Sequence, residues 1–129
     1  MFTFRNELAV GLFLFGSTYL WLTPAFVGDS ARGTTWGIVQ VLAFVAIIGF
    51  AIAAWGIFQS TAWWWEPVAI GSAIIGMSSV VPYWIAAQPL AEVNQVAMLE
   101  NIAIHLLGGV VVLAALLTPA AERWIAGRL

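Results

Sequence analysis

The sequence predicts an all-α integral membrane protein, a four-transmembrane-helix bundle built from two tandem helical hairpins, and three observations carry that expectation. Hydrophobic residues make up 63% of the 129 positions and charged residues only 8%, against roughly 25% charged in soluble domains. The four basic and six acidic residues fall at segment ends and leave the stretches 8–28, 33–65, 67–91 and 101–121 free of formal charge. Each can hold the ~20 residues that cross a bilayer core. Finally, Ala9-Val10-Gly11 with Gly16 returns as Ala69-Ile70-Gly71 with Gly76, the mark of a duplicated unit.

Spans are expected at about 8–27, 36–58, 68–87 and 98–118, helical because lipid cannot satisfy loose backbone groups and the alternation of a barrel is absent. Segment one ends at Leu22 to Gly28, where Pro24 near the C-terminal end can be tolerated and Gly28 can cap the helix; Asp29 to Gly33 is the first turn. Segment two carries Gln40 and the small residues Gly49, Ala53 and Gly56, with Trp36 at one interface. Trp63-Trp64-Trp65-Glu66-Pro67 marks the join between halves, with three indoles at headgroup level, an acid near a helix start and a proline at the first helical position. Segment three places Ser72, Gly76, Ser79 and Tyr83 along one face. The longest loop, 88–97, precedes segment four with Asn101 and His105; Pro119 stops that helix before a tail anchored by Trp124.

One membrane domain, 1–129, thus holds repeat 1 at about 8–58 and repeat 2 at about 68–118. Two crossings per half make the repeats parallel in topology, related by a pseudo-two-fold axis along the membrane normal. Arg5, Arg123 and Arg128 lie on one side and Arg32 on the other, which places both termini in the cytoplasm of a prokaryotic cell membrane. Arg5 before an apolar run has the look of a signal peptide, but ~20 apolar residues repeated in segment three read as a retained helix. With no cysteine, thiolate chemistry and disulfides are excluded, and a net charge of −2 with scattered basic residues speaks against nucleic acid.

The residues resemble the SPW-repeat family of small prokaryotic membrane proteins. The first copy carries Thr23-Pro24, Gly28 and Trp36-Gly37; the second carries Val81-Pro82-Tyr83-Trp84, Asn101 and Gly108-Gly109. The resemblance covers both halves and implies a four-helix integral membrane protein without an assigned activity.

His105 is the one histidine, and an ionisable group inside a span is a functional-site hypothesis. Three roles compete for it. Neutral His105 can bond a neighbouring helix through Gln40 or a Ser/Thr hydroxyl; it can ligate haem or a chlorophyll-type pigment, with Gly108 and Gly109 admitting the macrocycle; or it can handle protons with Glu100. Metal and hydrolytic catalysis need several ligands or a nucleophile with a base, and one histidine with no acid inside a span supplies neither.

The expectation is therefore a non-catalytic accessory or scaffold subunit of a larger membrane assembly. Its small-residue faces, Gly49/Ala53/Gly56 and Ser72/Gly76/Ser79, would dock helices of other integral membrane subunits. Lipids would be bound around it, and Trp36, Trp63, Trp64, Trp65 and Trp124 would set depth. The alternatives are a homo-oligomeric small channel or transporter lined by segments three and four, and a haem- or pigment-binding subunit using His105.

Overall fold

The structure, a computed structural model, describes residues 3–59 and 63–129. All regular structure among them is helical. Helix α1 (Phe4–Ser17) starts at Thr3, whose Oγ1 accepts from Asn6 N–H at 3.3 Å. At Ser17 and Thr18 the side-chain hydroxyls bond back to the Leu14 and Phe15 carbonyls at 2.7 and 2.6 Å. Such back-bonding competes with the helical ladder, and here the helix tightens into a 3-10 segment, Thr18–Leu22.

Thr23 then turns extended, and Pro24, lacking an N–H to continue the ladder, becomes the first residue of a separate short helix, α2 (Pro24–Val27). The expected first span of 8–27 is therefore not one helix. It is α1, a 3-10 continuation and a broken corner, and Gly28 ends the corner at φ +107°.

The next three helices are long and apolar enough to cross a membrane: α3 (Thr34–Phe58), α4 (Trp65–Ala87) and α5 (Gln95–Leu117). The connection at 60–62, within the join between the halves, lies outside the described residues. Helix α4 begins at Trp65, so Pro67 is its third residue rather than its first. It also runs straight through Pro82, which closes nothing, unlike Pro24. Asn94 caps α5, its Oδ1 accepting from Val96 and Ala97 N–H at 2.9 and 3.1 Å. Thr118 is extended, and Pro119 opens α6 (Pro119–Ala126), so the expected tail is a helix that returns Trp124 edge-on to Phe4 at 5.5 Å.

Helix α3 packs between α1 and α4, and α4 between α3 and α5. Gly49 meets Ser72 and, further along α3, Gly56 meets Trp65 nearer the start of α4, so those two helices run antiparallel. The buried positions of α3, Val39, Ala43, Ala46, Phe50, Ala53 and Ile57, recur every three or four residues and define one inward stripe. Large apolar side chains such as Phe13, Val41, Ile48, Leu107 and Val111 point outward, as lipid-facing surface does. Without a hydrophobic drive between helices in lipid, close packing of small residues is what holds α3 to α4.

Candidate functional site

The seam between α1 and α5 differs from the one between α3 and α4. Helices α1 and α5 have almost no backbone approach, and only side chains bridge them. At the end holding the 22–34 and 88–94 connections, a cleft of about 280 Å³ opens between Trp21, Phe26, Tyr83, Glu92, Asn94 and Asn101. There Asn101 Nδ2 donates to Tyr83 Oη at 3.4 Å. At the end holding both termini, an apolar crevice of about 350 Å³ lies along Glu7, Leu8, Gly11, Phe15, Gly108 and Val112.

Between the two openings the seam is closed by Phe15, Thr18, Tyr19 and His105. The His105 side chain is fully buried. Its Nδ1 lies 2.6 Å from the Asn101 carbonyl and its Nε2 3.0 Å from Thr18 Oγ1. A carbonyl oxygen only accepts, so Nδ1 carries a hydrogen. The ring sits 4.5 Å from the Tyr19 ring, centroid to centroid, and 6.3 and 6.4 Å from Phe15 and Trp21. Thr18 and Tyr19 open the 3-10 segment, Thr18 reaching α5 at His105 and Tyr19 lying in the interior.

Tyr19 stacks on Phe50 at 6.1 Å and is fully buried, and its hydroxyl has no hydrogen-bond partner among the described residues. Gly76 of α4 makes room for it; a Cβ there would overlap the Tyr19 phenol. Neither Thr18 nor Tyr19 was among the residues singled out by pattern. The available signal was the run Ser17-Thr18-Tyr19 inside an otherwise apolar stretch.

The remaining sequence candidates fall as follows. Gly49, Ala53, Gly56, Ser72, Gly76 and Ser79 are helix-packing residues, but their faces are filled by this chain's own side chains. Gly49 is covered by Ser72, Gly56 by Trp64 and Trp65, and Gly76 by Tyr19; Ala53 and Ser79 are fully buried. Within this chain these residues pack its own helices together; the sequence pattern marks close packing without saying whose helix approaches.

Gln40 faces outward on α3, away from His105, and the hydroxyl that meets the ring belongs to Thr18. Glu100 is exposed, five residues and a large helical rotation from His105, and does not touch it. The slot expected beside Gly108 and Gly109 is occupied by Phe15 and Met77, and both ring nitrogens are engaged. A haem or pigment macrocycle has neither a nitrogen nor a space there.

Among the tryptophans, Trp63 is 84% exposed and Trp124 53%, as anchors are, with the Arg128 guanidinium 3.7 Å over the Trp124 ring. Trp36 and Trp65 are instead buried, Trp36 edge-on to Tyr83 at 6.1 Å, and Trp64 is half-buried against Gly56. Gly56 on α3 makes room for Trp64 and Trp65. Among the described residues no group of three His, Cys, Asp or Glu could hold a metal ion. No family model, curated protein or solved structure matches this chain.

Proposed function

We propose that the chain is a small four-span membrane transport protein that passes protons along the seam between α1 and α5. The reading counts α1 with its 3-10 continuation as the first span and pairs the helices as two hairpins. The observation that carries it is the asymmetry of the two seams. One is sealed by glycines that let a neighbouring side chain close in, Gly49 under Ser72 and Gly56 under Trp65. The other has a half-polar cleft at one end and an apolar crevice at the other, and is closed in its middle by Phe15, Tyr19 and a hydrogen-bonded His105 and Thr18.

A half-polar cleft brings water toward Asn101, whose carbonyl accepts from His105. A layer closed by a titratable ring can be crossed by a proton that binds the ring and leaves it as side-chain contacts change, whereas larger solutes need the layer to part. An accessory subunit gripping partners through its glycine faces draws no support from faces already filled within the chain.

The test is proteoliposomes with a pH-sensitive dye trapped inside and a potassium diffusion potential imposed with valinomycin. Proton influx above that of empty vesicles, and reduced in His105→Gln, is expected. Influx equal to that of empty vesicles overturns the proposal.

A further inference from the structure

Three heavy-atom contacts run in series through the closed middle of the seam. The Asn101 carbonyl meets His105 Nδ1 at 2.6 Å, His105 Nε2 meets Thr18 Oγ1 at 3.0 Å, and Thr18 Oγ1 meets the Phe15 carbonyl at 2.6 Å. Each contact needs one hydrogen between its two atoms. Both terminal atoms are carbonyl oxygens, which only accept.

A neutral imidazole brings one N–H and threonine one O–H, so two hydrogens serve these three contacts. An imidazolium brings a second N–H, and every contact is then filled. With the ring neutral and the hydroxyl turned to Phe15, lone pairs of Nε2 and Oγ1 face each other at 3.0 Å. The hydroxyl must leave Phe15, or the His105–Thr18 contact must open.

We infer that His105 and Thr18 form a proton-binding latch: a proton from water entering the cleft at Asn101 bonds to Nε2, is donated from there to Thr18 Oγ1, ties α5 to the 3-10 segment across the seam, and on returning to water frees that tie. This deepens the transport reading, on which it rests, by naming the atom that holds the proton.

The surroundings favour a proton held briefly over a permanent charge. From the 3-10 segment Tyr19 faces the ring, and its hydroxyl, without a hydrogen-bond partner among the described residues, adds a second polar atom to the layer. Helix α1 offers Phe15. Helix α4 offers Tyr83, reached through Asn101, with Met77 beside the neighbouring Gly109; α3 offers Phe50 behind Tyr19. On α5 itself the nearest acid, Glu100, points out of the bundle, and Glu92 lines the cleft short of the ring. The hydrogen bonds to Asn101 and Thr18 are thus the ring's polar contacts among the described residues. A cation without a counter-ion in a span is costly, so the loaded latch is a transient state that readily passes its proton on.

His105 is the only histidine in the chain, so 15N-histidine labelling of the intact protein in lipid reports this ring alone. Its two nitrogen shifts separate the imidazolium from each neutral tautomer. On lowering the pH from about 9 to about 4, the ring is expected to pass from the Nδ1–H tautomer to a doubly protonated form while circular dichroism holds. In Thr18→Val the doubly protonated form should be about tenfold less populated at a given pH, one unit of titration, and Thr18→Ser should restore it.

A ring singly protonated throughout that range in folded protein overturns the latch, as does a Thr18→Val curve that superimposes on the wild type. Should Thr18→Val fail to fold, the wild-type and Thr18→Ser titrations decide by the first criterion. The two proposals fail separately: a ring that titrates as described in protein without proton influx overturns transport alone, and influx through protein whose ring never titrates overturns the latch alone.

Discussion

Replacing Gly49 by Ala tests the closed seam at its tightest point. A Cβ at Gly49 would overlap Ser72 Oγ and stand 3.1 Å from Ser72 Cβ. The Ser72 hydroxyl is itself held on the Val68 carbonyl at 2.7 Å. Overpacking a close-packed interior costs about 1–3 kcal/mol, while removing a helix-interior glycine returns about 0.8–1 kcal/mol of propensity. The clash wins, and Gly49→Ala should lose about 1–2 kcal/mol.

Ser72→Gly in the same chain removes both offending atoms and moves the glycine to the other side of the seam. The double variant should therefore recover most of the loss, with a coupling of about 1 kcal/mol or more in the cycle. Reversible unfolding in mixed micelles, followed by circular dichroism, measures all four corners. A Gly49→Ala protein as stable as wild type, or single changes that simply add, refutes this account of how α3 and α4 are held.

Gly71 is the matching control, since a Cβ there meets nothing within 4 Å; Gly71→Ala should stabilise by up to about 1 kcal/mol in the same unfolding assay. Asn94→Ala removes the acceptor for Val96 and Ala97 N–H and should cost about 1 kcal/mol, seen as faster hydrogen exchange in the first turn of α5. Gly28→Ala places a Cβ on a residue at φ +107°, and its unfolding midpoint should fall by the equivalent of about 1–2 kcal/mol.

Much of the helical content was legible because charge-free apolar stretches of span length have few other solutions. The starts and ends of α3, α4 and α5 lie within about three residues of their expected places. The first segment was not. Pro24 and Pro82 give the same signal, yet one ends a helix and the other sits inside one. Hydroxyl back-bonds precede both, from Ser17 and Thr18 before Pro24 and from Ser78 and Ser79 before Pro82; what separates them is packing, since α4 is clamped by α3 and α5.

His105 was legible as a buried polar group needing a partner, and a Ser/Thr hydroxyl was among the expected partners. That it is Thr18, 87 residues away, depends on how α5 settles against α1, which periodicity within one helix does not encode. The glycine stripes announced close approach and left the approaching side chain unnamed. In the same way, tryptophan type alone did not separate the buried Trp36 and Trp65 from the exposed Trp63 and Trp124.

The chain has no cysteine, so single introduced cysteines report water access along each seam without background. Asn101→Cys, in the cleft between the 3-10 segment, α2, α4 and α5, should react readily in intact proteoliposomes with a charged, membrane-impermeant thiol reagent. Ala43→Cys, fully buried on α3, should stay unmodified under the same conditions. Equal labelling of the two, or protection of Asn101→Cys in folded protein, would contradict a water-accessible seam between α1 and α5.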